Sequence, residues 1–183
     1  MTINEFESFL DLICVELNLD VEASDQNHHA VKFEELVRQI VTMHSKKLGL
    51  TPALQSIVQG FPDIVLGTYG IEVNSTENDS WRTIANSVSE GQRASTVQNV
   101  YIVFGKFGGE PEVRWAEYGR SIVHVRTSHV PRFEVDIEAE ESLFVKLGIS
   151  YNEFRVLPMS SKMPFIREYA RDGNPPNFEG FLA

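Results

Sequence analysis

The 183-residue chain holds a single cysteine, Cys14, which excludes an internal disulfide framework and a multi-cysteine zinc site. So little thiol points to a reducing cytoplasm. Long apolar runs are missing as well: nothing approaches the ~18 consecutive apolar residues of a membrane-spanning helix, and no signal-peptide pattern opens the chain. Positive charge is scarce, because 16 Lys and Arg face 26 Asp and Glu, a formal net charge of -10. Taken as an average, that balance argues against a polyanionic substrate. Gly105, Gly108 and Gly109 lack a following Lys-Ser/Thr, so there is no nucleotide-phosphate loop. What is present suits one globular domain: 42% of the residues are hydrophobic, which excludes a disordered or collagen-like polypeptide.

The shortage of positive charge is uneven. Residues 1–44 carry nine acids against Lys32 and Arg38, and residues 133–183 carry nine acids against five bases. Between Trp81 and Arg132 the sign reverses, with seven basic residues against Glu90, Glu110, Glu112 and Glu117. The average therefore hides a basic middle.

Hydrophobic periodicity places two helices first. Thr2 with Glu5 forms a capping-box pattern, and Phe6, Phe9, Leu10, Ile13 and Leu17 repeat at helical spacing, predicting a helix over 3–18. Cys14 falls on its apolar face and is expected to be buried and inert. Phe33, Leu36, Val37, Ile40 and Val41 predict a second helix over 30–48, stopped near Gly49. Thr51-Pro52 reads as a further helix start. From Phe61 to Asn74, β-branched residues flank a turn at Gly67 to Gly70, the pattern of a hairpin. Strands are also expected over 97–104, 122–127 and 133–137, with a breaker-rich loop over 105–111. Helices followed by short strands imply an α/β domain with a mixed central β-sheet flanked by α-helices. The Pro-rich end has no closing element, as expected of the front part of a longer protein.

The stretch that carries chemistry is Pro62-Asp63, then eight residues, then Glu72-Val73-Asn74. Strand alternation points Glu72 and Asn74 to one face and Val73 to the other. In a hairpin Asp63 lies beside Glu72, so two carboxylates converge, as a hard divalent cation such as Mg²⁺ requires.

These residues resemble the PD-(D/E)XK nuclease motif of type II restriction endonucleases and DNA-repair nucleases. The similarity extends from a preceding helix with Glu34 and Glu35 through Ser75-Thr76, Trp81, Asn86-Ser87, 101–106 and 128–133, covering about 30–137. The resemblance implies a restriction-endonuclease-like fold spanning 1–183, with an N-terminal helix and linker (1–29), a core (30–137) and a C-terminal extension (138–183). It implies that Asp63 and Glu72 are Mg²⁺ ligands, with the Val73 carbonyl and Glu35 as further oxygens; Glu34 is the alternative to Glu35. It also implies a sequence-specific enzyme of a restriction-modification system that cuts double-stranded DNA as a homodimer.

The departure is Asn74, where the family carries lysine, a cation that positions water and offsets phosphate charge. Three explanations follow: a tolerated polar substitute, rescue by Lys106 from a neighbouring strand, or an inactivating change. Under the last, the chain is a DNA-binding or assembly module on the same fold. A third class of function has the acidic helices engaging a protein partner. The basic middle supplies candidate DNA contacts in Arg82, Arg93, Lys106, Arg126, His129 and Arg132, since arginine binds phosphate bidentately and reads guanine.

Overall fold

The computed structural model describes residues 1–54, 60–89, 96–127 and 129–172. It is a mixed α/β structure with two sheets. Helices α1 (Ile3–Ala23) and α2 (Ala30–Lys47) are joined by a 3₁₀ turn, Asp25–His28. The strands are β1 (Ala53–Leu54), β2 (Ile64–Leu66), β3 (Tyr69–Thr76), β4 (Arg82–Ser87), β5 (Asn99–Lys106), β6 (Glu112–Glu117), β7 (Ile122–Arg126) and β8 (Arg132–Asp136). A short α3 (Tyr118–Ser121) precedes β7, and α4 (Leu143–Leu147), α5 (Tyr151–Val156) and α6 (Met159–Asp172) follow β8.

The α1 capping box forms as expected: Thr2 N donates to Glu5 Oε2 at 2.7 Å and Glu5 N to Thr2 Oγ1 at 3.3 Å. The helix continues past residue 18 because Val21, one turn beyond Leu17, extends the buried stripe. Cys14 is buried on that stripe, and burial pushes its thiol up to about 12, which leaves it unreactive. No helix among the described residues is long and apolar enough to cross a membrane.

The five-stranded sheet runs β1-β2-β3-β5-β6, with β3 parallel to β5 and the other neighbours antiparallel. Alternation along β3 and β5 gives each face its own core. Tyr69, Ile71, Tyr101 and Val103 pack with α1 and α2, whereas Val100, Ile102 and Phe104 face the second sheet and α3 to α6. That second sheet, β4-β8-β7, is antiparallel and presents Phe133, Val135 and Val125 inward.

One sequence expectation changes, and two strands were not expected. The helix start at Thr51-Pro52 is instead an extended segment whose Ala53 and Leu54 pair with Val65 and Ile64; residues 55–59 lie outside the described set. Residues 82–87 and 112–117 are strands that periodicity did not reveal. The first has a bulge between Ile84 and Ser87 that breaks its alternation. The second is an edge strand covered by α1, where Asn18 accepts from Val113 N at 2.7 Å and donates to Val113 O at 2.9 Å.

Candidate active site

The motif sits on the β2–β3 hairpin. Leu66 and Tyr69 close it across the two-residue loop Gly67-Thr68, where Gly67 takes φ +61°, a value that glycine adopts without steric cost. Pairing continues to Ile64↔Ile71, which brings Asp63 alongside Glu72. Pro62 is pressed against β3 at Gly70, where an added Cβ would lie 2.3 Å from Pro62 Cγ. Gly70 thus permits the approach that aligns Asp63 with the strand opposite.

Beyond the last paired residue, Val73 N donates to Asp63 Oδ2 at 2.7 Å. The carboxyl groups of Asp63 and Glu72 are close enough to hydrogen-bond each other. Both residues are buried, at 9% and 8% exposure, so the two acids meet with little water to separate their charges. Burial is the main cause that pushes the Asp63 carboxyl up to about 6. The Glu34 charge adds to that rise, while the Val73 N–H, the Arg38 guanidinium and the bond with Glu72 oppose it.

Helix α2 contributes a pair that the sequence ordered differently. Arg38 Nη2 lies 2.7 Å from Glu34 Oε1 and 3.8 Å from Asp63 Oδ1. Glu34, not Glu35, is therefore the helix acid facing the site. Glu35 is turned one helical step away onto the exposed face, where Lys32 bonds it at 2.8 Å. This corrects the assignment of Glu35 as a metal ligand.

Asn74 shares the Glu72 face of β3, and its Nδ2 is buried with no hydrogen-bond partner among the described residues. Lys106 does not replace the missing lysine. It pairs with Thr76, two residues further along, and its ammonium bonds Asp79 at 2.7 Å, Glu110 O at 3.2 Å and Gly108 O at 3.3 Å. All three donors are used in tying down the 106–110 loop, which also removes Lys106 as a DNA contact.

Three other candidates, Arg82, Arg126 and Arg132, lie on the second sheet, away from the β2–β3 hairpin. Arg82 and Arg126 both bond the buried carboxylate of Glu134, while Arg132 and His129 are exposed. Arg93 lies outside the described residues. Trp81 is buried in the core, with the Arg114 guanidinium 4.4 Å from its ring centre. Sequence reasoning missed Tyr151, whose fully buried hydroxyl has no hydrogen-bond partner among the described residues; burial, and to a smaller degree the Glu72 charge, push its pKa up. It also missed Glu134 and Arg38, for which only the polar face of a strand or helix was available as a signal. An apolar cleft of about 650 Å³ between the start of α1 and Leu48 and Leu50 contains none of these groups.

No protein-family model matches the chain, and no curated protein matches it in sequence. Among the described residues no three His, Cys, Asp or Glu side chains come together as a metal cage. Two converging carboxylates suit a cation that keeps most of its waters, which is the habit of Mg²⁺ rather than of zinc. Strand geometry turns the Val73 carbonyl to the same side as its N–H, toward Asp63. Asp63, Glu72 and the Val73 carbonyl are the oxygen donors on this hairpin that could hold such a cation.

Proposed function

We propose that this chain is a Mg²⁺-dependent endonuclease of the type II restriction class, on a restriction-endonuclease-like fold, hydrolysing phosphodiester bonds of double-stranded DNA. The observation that carries the reading is the convergence of Asp63 and Glu72 on a hairpin whose second strand runs parallel to β5. It joins the motif resemblance to the right oxygen donors.

Asp63, Glu72 and the Val73 carbonyl would hold Mg²⁺, which when bound offsets phosphate charge and acidifies water. The chain's own part is positioning. The Val73 N–H fixes the Asp63 carboxylate, and Arg38 holds Glu34 beside it. The unused Nδ2 of Asn74 can hold a water or a phosphate oxygen, although an amide supplies no charge and no base. A basic strand face outside the site meets the backbone. Two copies related by a two-fold axis provide one site for each DNA strand.

The test is plasmid cleavage with Mg²⁺, lost in Asp63→Ala. Asn74→Lys in the same assay should raise the rate by on the order of 10²-fold, the value of one well-placed charge. No cleavage by the chain or by Asn74→Lys overturns the reading. A second reading, a DNA-binding module without activity, is favoured by the neutral Asn74 together with the engagement of Lys106 elsewhere. It requires duplex binding that is indifferent to Mg²⁺.

A further inference from the structure

The outer face of the three-stranded sheet holds a charged arrangement that the cleavage reading does not use. By alternation, Arg82 on β4, Glu134 on central β8 and Arg126 on β7 share one face. Glu134 is 4% exposed, and its two oxygens are divided between the arginines: Oε1 accepts from Arg82 Nε, and Oε2 accepts from Arg126 Nε at 2.6 Å. These bonds hold the Glu134 carboxyl below its usual range despite burial, so it stays ionised. Each arginine spends only its Nε. The Nη groups have no partner among the described residues, and the two side chains are 51% and 57% exposed. One buried carboxylate thus fixes two guanidinium forks across a strand, leaving their outer edges open.

The forks open into a groove of about 500 Å³ whose other polar lining is Thr76, Asn78, Ser80 and Thr83. Two oriented guanidiniums ringed by hydroxyls and an amide suit a tetrahedral oxyanion, because the fork matches paired phosphate oxygens and the hydroxyls donate to the rest. The groove begins at Thr76, four residues along β3 from Glu72, a distance of about 13 Å.

We propose that Arg82 and Arg126, held by Glu134, form a clamp for one backbone phosphate of duplex DNA, on a different sheet from the Asp63–Glu72 pair. The proposal rests on the DNA half of the nuclease reading and deepens it. The clamp reads backbone, not bases, and Glu134 is its positioning residue. Sequence discrimination then falls to other groups.

The test measures binding of a mixed-sequence duplex by the full chain, without divalent ions, across a salt series. Arg82→Gln/Arg126→Gln should flatten the slope of log K against log[salt] by about 0.9, the signature of one lost phosphate contact. Arg82→Lys/Arg126→Lys keeps both charges and loses the forks; it should bind about ten-fold more weakly at an unchanged slope. Melting curves with the wild-type transition establish that both variants are folded. An unchanged slope in the Gln pair, wild-type affinity in the Lys pair, or no duplex binding by the parent chain each overturns the clamp. The two proposals fail separately. Mg²⁺-dependent cleavage with an unchanged Gln-pair slope removes the clamp and leaves the nuclease. A flattened slope in a chain that never cuts leaves the clamp and removes the nuclease.

Discussion

Asp63 is the residue whose environment costs the fold most clearly. Burial pushes its carboxyl up to about 6 in the folded chain, against 3.8 for an unperturbed group. Below about pH 4 it is protonated whether the chain is folded or not, and its burial costs the fold no ionisation penalty. As pH rises through about 6 the unfolded chain has already released the proton, and the fold loses on the order of 3 kcal/mol. Asp63→Asn removes that loss while keeping an oxygen for the Val73 N–H. The variant should melt above wild type at pH 7.5, with the gap closing toward pH 4 in a calorimetric series. Such a stability cost at a buried acid is the pattern expected of a functional site. Mg²⁺ should stabilise the wild type and not Asp63→Asn, a comparison that needs no cleavage assay. The two helix acids separate in the same way. Glu34→Gln should lower the Asp63 midpoint by up to about 1 unit in a carboxyl NMR titration, because the charge that raises it is gone. Glu35→Gln, whose partner is Lys32, should leave the midpoint where it is.

At the scale of elements, the β2–β3 hairpin sets the distance between the two acids. Gly67 closes the turn, the ladder from Leu66↔Tyr69 to Ile64↔Ile71 sets the register, and Gly70 admits Pro62. A one-residue slip would send Glu72 to the α1–α2 face, among Phe6, Ile13 and Val37. Gly70→Ala should force Pro62 off the strand, costing about 1–3 kcal/mol by denaturant unfolding and weakening the Mg²⁺-induced stabilisation. The hairpin was legible from sequence because its signals are local: β-branched runs, a glycine turn, a proline before the acid. Strands β4 and β6 were not, because a bulge interrupts the alternation of one and a helix conceals the edge of the other.

Across the whole molecule, charge is sorted by layer. The acids of α1 and α2 lie on one side of the five-stranded sheet, whereas Arg82, Arg126 and Arg132 share the outer face of the other. Arg132 has no ion pair among the described residues. The formal charge of -10 therefore predicts weak non-specific DNA affinity at physiological salt without excluding a local phosphate-binding face. Two-fold assembly has its own outcome: light scattering of the duplex-bound Asp63→Asn chain should give the mass of two chains plus one duplex, with linear plasmid as the first product of the wild type.

By itself the sequence determined the two opening helices, the hairpin and the pair Asp63 and Glu72, since each rests on spacing within some twenty residues. Only the tertiary structure decided which helix glutamate meets Asp63, because a single 100° helical step separates Glu34 from Glu35 and the deciding contact comes from Arg38. It alone decided that Lys106 closes a loop and that Glu134 binds two arginines, because Asp79 reaches Lys106 from a turn 27 residues away and Arg82 reaches Glu134 from a strand 52 residues away. Local periodicity tells which face a side chain takes; what it meets there depends on distant segments brought together by burial of the two cores.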